Sequence, residues 1–501
     1  MSKLPNYFLG FFVVLTFVSL FGMYGPSVAN SDNLAMMRAR GAHVASVVKE
    51  KTSDIAASLF SLIRPSRNEV AQTQQEIDVT PVVATQSRAP VRLDLGVISD
   101  GPFVPPHDSK VIYVDLGEKE LTLYDSGKPL ETIPVLSIGR SGTPWETPSG
   151  TYTVLSKEEN HFSTIGNVWM PYSMEFFGNF FIHGWPYYDG GKPVPEGYSG
   201  GCIRLSTEDA KKVFEFAKFG TPVVITRSAA ATPQAVSGSL TYFTRALLSD
   251  KPAVSASAYL VADVETGDIL AAHDIDTSYP IASVSKLFTA LVSLEAVNQY
   301  TPIRVSNAAL ATYGTTGKLR TGEKITSGDL LFPLLLESSN DAAEVIAEHL
   351  GRTRFIQLMN DKAKAIGLSR TSFADPSGLS PENISTARDL YKTAEHINST
   401  KRYIFEVTRE SDHTNKSGST TWRNSNPFVT HRYPEYRGGK QGFTDEAQKT
   451  VLGLFDVPVS EFDDRTLVVI LLRSNNLEKD VQNLLSFVRK NIYYGEVLAT
   501  K

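Results

Sequence analysis

The chain has 501 residues, of which 42% are hydrophobic and 21% charged, and this length allows two to four domains that each bury a core. Its formal net charge of −5 is small for this size, and without a long basic run the sequence gives no electrostatic reason to expect nucleic acid as a partner. A single cysteine, Cys202, excludes an intrachain disulfide and any cysteine-rich metal site.

Residues 1–30 are expected to be a membrane anchor or a signal segment. The run 7–25 holds 19 residues without a charge, which is long enough to cross a bilayer as a helix. Residues 27–29, Ser-Val-Ala, resemble a signal-peptide cleavage site, so cleavage stays open, although the long apolar run favours an uncleaved anchor. Both alternatives send the remainder of the chain across a membrane.

Residues 31–108 are expected to form a stalk and a flexible spacer. Apolar residues recur at roughly helical spacing between 33 and 64, which is typical of a marginal membrane-proximal helix. Residues 66–92 are rich in Gln, Thr, Val and Pro and show no clear period, which indicates a spacer.

Residues 109–227 show the pattern of a mostly-β domain of about 120 residues, a size typical of one domain. One helix is predicted, over 206–220, because Ser206 and Asp209 have the spacing of a capping box. Short alternating runs bounded by turn residues predict strands at 111–116, 120–125, 129–139, 150–156 and 222–226.

Residues 228–250 are small and polar enough to be a linker, and residues 251–497 are expected to form a second domain. A hairpin is predicted at 257–274, a helix from about Ser283, and a helix-rich stretch to about 397. Strands at both ends with helices between them predict an α/β domain whose mixed sheet carries a helical insertion. The later elements are predicted as strands at 436–444, 450–458 and 466–474 and a helix from Leu477.

The only cysteine lies in a sequence context that suits chemistry. Most free cysteines are small buried hydrophobes, so composition alone favours an inert thiol. Here residues 198–206 read YSGGCIRLS, with His183 upstream in FIHGW. A thiol attacks as a thiolate and needs a base, glycines let the backbone approach a substrate, and Arg204 would share a strand face with Cys202. A Cys–His acyl-transfer site is therefore possible, although one Cys and one His are weak evidence by themselves.

At this point the sequence resembles the L,D-transpeptidase catalytic domain of bacterial cell-wall enzymes. The likeness covers about 109–226 and includes HG at 183–184, SGGCIRL at 199–205 and TPSGTYTV at 147–154. It implies Cys202 as the acyl-accepting nucleophile, His183 as its base, and three residues that shape the site: Ser199, Gly201 and Arg204. One departure is Gly200, because the family most often has His there, which leaves no second histidine at this place.

The second domain carries three separated motifs of a serine acyl-transfer site. Ser283 and Lys286 lie three residues apart and would share a helix face, whereas Ser285 would point elsewhere. A lysine held away from water can have a lowered pKa and accept the hydroxyl proton. Each motif alone is common, but three in this order are much less expected by chance. The other two are Ser338-Ser339-Asn340 and, on a predicted strand, Lys440-Gln441-Gly442.

This half is similar to the D-alanyl-D-alanine carboxypeptidases, which are low-molecular-weight penicillin-binding proteins, over about 255–495. The resemblance implies Ser283 as the acylated nucleophile, Lys286 as its general base, and Ser338 and Asn340 as proton-relaying and substrate-orienting groups. It further implies a substrate site in which Lys440 binds the terminal carboxylate beside Gly442, with the amides of Ser283 and Phe443 as the oxyanion hole. Gln441 is a departure, because the family usually has Thr there.

Together the resemblances imply a bifunctional enzyme that modifies peptidoglycan. The serine domain would trim pentapeptide stems by D,D-carboxypeptidase action, and the cysteine domain would join the resulting tetrapeptides in 3→3 cross-links. Two alternatives remain: a D,D-endopeptidase in the C-terminal half, or a wall-binding protein with one degenerate site. Peptidoglycan stem peptides, penicillins, carbapenems and a membrane are the expected partners, no cofactor or metal is expected, and the location is the extracytoplasmic face of the plasma membrane or the periplasm.

Overall fold

The computed structural model describes residues 91–98, 103–227, 240–244, 251–314, 316–415, 418–459 and 464–496. The predicted anchor and the predicted stalk lie outside these described residues, as does the spacer up to residue 90. Within the described ranges, none of the helices combines the length and the apolar character needed to cross a bilayer.

The first of two units, residues 109–227, is built mainly from strands, as the alternating runs predict. A five-stranded sheet has the order β4-β3-β2-β10-β5, and a four-stranded sheet has the order β6-β7-β8-β9. Its helix α1 begins where expected, because Ser206 accepts a hydrogen bond from the Asp209 amide at 3.0 Å. The elements from residue 91 are β1 (Val91–Arg92), β2 (Lys110–Asp115), β3 (Glu120–Asp125), β4 (Lys128–Pro134), β5 (Gly150–Thr153), β6 (Ser156–Ser163), β7 (Val168–Phe177), β8 (Phe180–His183), β9 (Ile203–Arg204), α1 (Thr207–Phe216) and β10 (Pro222–Thr226).

Two pairs of parallel strands in this unit determine where the predicted site residues lie. Strand β10 pairs in parallel with β2, and β8 pairs in parallel with β9, while the other strand pairs of these sheets are antiparallel. The β8–β9 register places His183 opposite Arg204. His183 and Arg204 therefore lie on neighbouring strands at one edge of this sheet.

The second unit combines a sheet with helices, which agrees with the predicted α/β class, but the expectation of a mixed sheet was wrong because all four strand pairings of this sheet are antiparallel. Its strands have the order β13-β12-β22-β21-β20, and helices α6 and α9 pack against β22. A 3₁₀ turn at Ala282–Val284 leads directly into α2. The helices are α2 (Ser285–Ala296), α3 (Ser327–Leu335), α4 (Asn340–Leu350), α5 (Arg352–Ala365), α6 (Ala387–Thr400), α7 (Tyr403–Arg409), α8 (Pro427–Thr430) and α9 (Leu477–Asn491), with a further 3₁₀ turn at Ala309–Ala311.

The strands of this unit agree with the predicted hairpin and the three predicted C-terminal strands to within two residues at each end. They are β11 (Leu240–Thr244), β12 (Ala258–Asp263), β13 (Ile269–His273), β14 (Tyr279–Pro280), β15 (Pro302–Arg304), β16 (Lys324–Thr326), β17 (Ile384–Ser385), β18 (Asp412–Thr414), β19 (Thr421–Arg423), β20 (Tyr436–Thr444), β21 (Gln448–Val457), β22 (Arg465–Ser474) and β23 (Ile492–Glu496).

Two segments expected to be irregular contain ordered structure. Strand β11 lies inside the segment 228–250 and joins a small sheet with the order β1-β11-β23, where Tyr242 is buried and donates to the Asp263 carboxylate at 2.6 Å. Residues 96–98 run beside the turn of the β12–β13 hairpin, since the Ile98 amide donates to the Gly267 carbonyl. Tyrosine and phenylalanine in the sequence LTYFT account for the buried strand.

The two units share one hydrophobic core. A single cluster of buried side chains includes Tyr152 and Phe177 of the first unit together with Leu294 and Phe355 of the second. The backbone of Gly150 approaches α5 so closely that a Cβ there would lie 2.8 Å from the Ala365 carbonyl oxygen. The second unit therefore packs directly against the first rather than being joined to it by a linker alone.

Candidate active sites

Cys202 and His183 line the same cavity, which has a volume of about 120 Å³. The thiol is half-buried and donates to the Asn179 carbonyl oxygen at a sulfur–oxygen distance of 3.8 Å. Burial raises the pKa of the Cys202 thiol above its ordinary value, and the nearby Arg204 charge offsets only part of that effect. The thiol is therefore protonated at neutral pH and needs a base to become a nucleophile.

His183 has the properties of that base. The ring is 1% exposed, and its Nδ1 lies 2.6 Å from the Gly184 carbonyl oxygen, which accepts a hydrogen bond and donates none. Nδ1 therefore carries the proton, and Nε2 is left as the proton acceptor. Burial lowers the pKa of His183 to about 4, so the imidazole is neutral at rest. The Cys202 thiol and the His183 imidazole are therefore both uncharged at neutral pH.

The loop before Cys202 is held by side chains on both sides. The Ser199 hydroxyl donates to the Cys202 carbonyl at 2.5 Å and accepts from the Gly201 amide at 3.0 Å. Thr147 donates to the Gly201 carbonyl at 2.9 Å. Gly201 has φ +107°, and a Cβ there would lie 2.2 Å from the Phe180 ring, so only glycine fits. The Gly201 amide is therefore engaged within the loop, by the Ser199 hydroxyl.

Gly200 and Arg204 also line the cavity. A Cβ at Gly200 would have no atom within 4 Å, so the space in which the related domains carry a side chain is open here. The guanidinium of Arg204 lies 5.7 Å from the centre of the Trp185 ring, and its buried Nε makes no hydrogen bond with the described residues. A cation at this place can attract a carboxylate of a bound peptide.

The second predicted site is assembled around Lys286, which is fully buried at the start of α2. Its Nζ donates to Ser283 Oγ at 2.9 Å, to Asn340 Oδ1 at 2.7 Å and to the Ser377 carbonyl at 2.5 Å. Burial holds the pKa of Lys286 well below its usual range, and the charge of Lys440 lowers it further. Ser283 and Lys286, the predicted nucleophile and general base, are thus in hydrogen-bond contact, as the three-residue spacing predicts.

Ser283 opens into a cavity of about 280 Å³, whose lining also includes Ser338, Lys440, Gly442 and the exposed Phe443. Burial lowers the pKa of Lys440 to about 7. A Cβ on Gly442 would lie 2.7 Å from the Ser283 amide nitrogen, so the strand β20 passes directly beside Ser283. The substrate-binding residues predicted from the sequence therefore meet at this cavity.

In the motif Ser338-Ser339-Asn340, Ser339 has a structural role, whereas Ser338 and Asn340 lie in the predicted site. Ser339 caps α4 by accepting from the Ala342 amide at 3.1 Å, and Ser338 has the unusual φ of +58° in the turn before it. The amide of Asn340 donates to the Tyr313 carbonyl at 2.7 Å, which fixes its oxygen towards Lys286. The turn thus presents Ser338 to the cavity, while Asn340 contacts Lys286.

Gln441, the departure from the related domains, is hydrogen-bonded through both its side chain and its backbone. Its amide donates to the Ser425 carbonyl at 3.1 Å, and its backbone carbonyl accepts from Lys440 Nζ at 2.9 Å. The side chain lines the same cavity as Ser283, so it contributes an amide where the related domains have a hydroxyl. Within the described ranges, no group of three or more His, Cys, Asp or Glu side chains is arranged to hold a metal ion.

Comparison with known proteins finds a matching family for each of the two domains. The model of the L,D-transpeptidase catalytic domain matches residues 109–225, and the model of the D-alanyl-D-alanine carboxypeptidase family matches residues 246–455. A D-alanyl-D-alanine endopeptidase of Escherichia coli is 32% identical over 213 residues, which cover 40% of this chain and 67% of that protein. The chain belongs to the D-alanyl-D-alanine carboxypeptidase family. It also carries an L,D-transpeptidase catalytic domain.

Two further relatives match the carboxypeptidase domain. A D-alanyl-D-alanine carboxypeptidase of Mycobacterium tuberculosis is 31% identical over 204 residues, which cover 40% of this chain and 69% of that protein. A crystal structure of a D-alanyl-D-alanine carboxypeptidase from the same organism has 27% identity and a TM-score of 0.44, and the match covers 48% of this chain and 92% of that one.

Sequence reasoning missed the loop that supports the base of the carboxypeptidase domain. The Asp375 carboxylate accepts from the amides of Ser377 and Gly378, both at 2.6 Å, and thereby aims the Ser377 carbonyl at Lys286. The Asp-Pro-Ser-Gly turn at 375–378 was a signal for a tight loop. It could not reveal which carbonyl faces the lysine, because that depends on how the loop packs against α2.

In the L,D-transpeptidase domain the missed residue is Asn179. It follows Gly178, whose φ is +58°, in the two-residue turn between β7 and β8. The dipeptide Gly-Asn between two aromatic runs is typical of a hairpin turn. Its contact with the thiol is a tertiary feature that the turn signal does not contain.

Proposed function

We propose that this chain is a bifunctional peptidoglycan enzyme, with D,D-carboxypeptidase activity at Ser283 and L,D-transpeptidase activity at Cys202. The observation that carries the proposal is that each nucleophile has a basic group at hand and opens into its own cavity. Lys286 contacts Ser283 Oγ at 2.9 Å, and His183 lines the Cys202 cavity with Nε2 as its proton acceptor. Both family matches support acyl transfer on cell-wall peptides.

At the serine site, the proposed substrate is a pentapeptide stem ending in D-alanyl-D-alanine. Ser283 Oγ attacks the carbonyl of the terminal peptide bond while its proton passes to Lys286, and Lys440 holds the terminal carboxylate. Collapse of the tetrahedral intermediate breaks the C–N bond, and the leaving D-alanine takes a proton from Lys286. Water then hydrolyses the acyl ester, which leaves a tetrapeptide stem and restores the serine.

At the cysteine site, the tetrapeptide is the proposed acyl donor. The Cys202 thiol passes its proton to His183 Nε2 as the sulfur attacks the carbonyl of the third residue. D-alanine leaves with that proton, and a thioester remains. An amine on a second stem attacks the thioester, loses a proton to His183 and displaces the thiol, which gives a 3→3 cross-link. Tethering both domains raises the local concentration of donor stems.

The proposed location is the extracytoplasmic face of the plasma membrane or the periplasm. Peptidoglycan stems are found outside the cytoplasm, and residues 7–25 have the composition of an anchor or signal segment. The membrane and the cell wall are the proposed partners at that location.

A second candidate activity for the C-terminal half is D,D-endopeptidase. The observation that favours it is the 32% identity to a D-alanyl-D-alanine endopeptidase of Escherichia coli. Digestion of purified dimeric muropeptides separates the two activities, because an endopeptidase produces monomers and a carboxypeptidase releases only free D-alanine.

The nucleophiles are tested by intact-mass analysis of the full chain after exposure to a carbapenem, a β-lactam that both families are expected to accept. Two adducts are expected on the natural chain, one on each of Cys202→Ala and Ser283→Ala, and none on the double variant. A natural chain without an adduct on either residue contradicts the proposal. A fluorescent penicillin that labels Ser283 alone provides the matched control for the second domain.

A further inference from the structure

One helix of the carboxypeptidase domain reaches both candidate sites. Helix α2 starts two residues after Ser283 and carries Lys286 in its first turn. At its other end, Leu294, Val297 and Asn298 line the Cys202 cavity. A helix of this length spans about 18 Å. The cavity that holds the thiol is therefore bounded on one side by the other catalytic domain.

Asn179 connects this end of the helix to the thiol. Its carbonyl accepts from Cys202 Sγ at 3.8 Å, and its side-chain amide donates to the Ala296 carbonyl at 2.7 Å. The last carbonyls of a helix have no intrahelical donor, so Asn179 supplies one to α2 from the first domain. Gly178 packs against the same residue, since a Cβ there would lie 3.6 Å from the Ala296 Cα.

The wall formed by residues 294–298 is held firmly in place. Leu294 and Val297 are each 5% exposed, and the Glu295 carboxylate lies 2.9 Å from the buried Lys362 Nζ. Asn298 is half-buried, and its Oδ1 accepts from the Tyr300 amide at 2.9 Å, which fixes the turn after the helix. The wall is thus preorganised and presents two aliphatic side chains and one polar one.

The size and the lining of the cavity limit what can bind beside the thiol. A volume of about 120 Å³ has room for about four water molecules, which corresponds to about one small amino-acid residue. The cavity is also lined by Met170 and Phe180, which are buried apolar residues of the first domain. Small apolar side chains such as the methyl group of alanine match this space, and bulky ones do not.

From these contacts we infer that residues 294–298 are a specificity-determining wall of the Cys202 site, which admits a stem whose leaving residue beyond the scissile bond is small, such as D-alanine. The inference rests on the proposed L,D-transpeptidase function and adds that the thiol site is incomplete without the carboxypeptidase domain. The substrate stem would lie between the two domains, in contact with both.

The test compares two full-length variants with the same large substitution at neighbouring positions. Asn298→Trp places an indole in the Cys202 cavity, whereas Gln299→Trp places it at a different cavity, lined by Tyr300 and Phe332. The kcat/KM for transfer from a purified tetrapeptide stem is expected to fall at least about tenfold in Asn298→Trp. In Gln299→Trp it is expected to stay within about twofold of the natural chain.

Two further measurements exclude a merely structural effect. Alkylation of Cys202 by iodoacetamide, which is small enough to pass the wall, and labelling of Ser283 by a fluorescent penicillin are expected to be unchanged in both variants. If Asn298→Trp loses the penicillin label, that variant is misfolded, and Asn298→Asp is tested in its place. Asn298→Asp keeps Oδ1 as the hydrogen-bond acceptor for the Tyr300 amide. Its added charge is expected to repel the stem carboxylates and lower kcat/KM about fivefold, with a dependence on salt.

The inference is overturned if Asn298→Trp folds and transfers tetrapeptide within twofold of the natural chain, or if the two tryptophan variants lose activity equally. It is also overturned if Asn298→Trp misfolds and Asn298→Asp matches the natural chain. A natural chain that forms no thioester with tetrapeptide gives a different result, because then the proposed function itself fails.

Discussion

At the level of single residues, the hydrogen bonds of Lys286 specify its reactive form. A lysine ammonium has three N–H donors, and three acceptors surround Nζ here. The Asn340 and Ser377 oxygens only accept, so a neutral amine would donate to them and turn its lone pair to Ser283 Oγ. The lowered pKa of Lys286 favours this neutral form, which is the one that can take the hydroxyl proton.

The pKa of Lys440 predicts that acylation of Ser283 becomes slower at alkaline pH. Its pKa of about 7 means that it is charged and able to bind a carboxylate below neutral pH and becomes neutral above it. The second-order rate of Ser283 acylation by penicillin is therefore expected to fall as pH rises through about 7. Lys440→Arg keeps the charge and should move this limit upwards. A natural-chain rate that continues to rise up to pH 9 would contradict the account.

The protonated resting state of the Cys202 thiol predicts a different dependence of reaction rate on pH. Because the pKa of Cys202 is raised and that of His183 is lowered to about 4, no thiolate–imidazolium pair exists near neutral pH. Alkylation of Cys202 by iodoacetamide should therefore increase steadily with pH to beyond pH 9. His183→Ala should leave this profile nearly unchanged but slow peptide transfer about 100-fold or more. A plateau of the alkylation rate between pH 5 and 7 would show an ion pair and refute this prediction.

Two adjacent glycines allow a matched test of the cysteine loop. Gly201→Ala would push a Cβ into the Phe180 ring at 2.2 Å from a backbone with φ +107°, so peptide transfer should fall about tenfold or more. Gly200→Ala meets no atom within 4 Å and should remain close to the natural rate. Steady-state assays of peptide transfer measure both variants, and penicillin labelling of Ser283 is the control for folding. Equal losses of transfer activity in the two variants would be evidence against the steric explanation.

At the level of elements, the contact between α2 and α5 is both charged and buried. Lys362 Nζ lies 2.9 Å from a Glu295 oxygen and donates to the Tyr152 hydroxyl at 2.9 Å, and neither member of the ion pair is exposed. Since Tyr152 belongs to the first domain, this group of residues links three elements across the domain boundary. Removing one charge leaves its partner uncompensated in a low-dielectric interior.

Lys362→Met is therefore expected to lower the free energy of unfolding by about 3–5 kcal/mol. Lys364→Met, two residues along the same helix and exposed, serves as the control and should change it by no more than about 0.5 kcal/mol. Chemical denaturation followed by circular dichroism measures both. Equal midpoints for the two variants would mean that the buried pair contributes nothing to holding α5 against its neighbours.

The sequence was most informative where an element has a local pattern. The cap at Ser206, the hairpin near 257–274 and the final helix from Leu477 all follow from side-chain periodicity and capping residues, and each is present in the structure. Strand β11 was assigned to a linker because its neighbours are small and polar, and its strand partners β1 and β23 lie about 150 and 250 residues away in the chain.

At the level of the whole molecule, the two domains form one continuous core, and this could not be read from the sequence. The residues of each site occur in recognisable motifs, so Cys202, His183, Ser283 and Lys286 could be named in advance. The packing of Asn179 against the end of α2 depends on tertiary contacts between segments more than 100 residues apart. Motifs describe the chemistry within each domain, whereas the shared wall of the cleft is a property of the assembled chain.

The central claim is that one chain both produces the tetrapeptide donor and uses it. The most direct measurement is a time course of products formed from purified pentapeptide stems by the natural chain, Ser283→Ala and Cys202→Ala. The natural chain is expected to give tetrapeptide and then 3→3 dimers, Cys202→Ala to stop at tetrapeptide, and Ser283→Ala to form dimers only when tetrapeptide is supplied. If Ser283→Ala converts pentapeptide to dimers as fast as the natural chain does, the two sites do not act in sequence and the account is wrong.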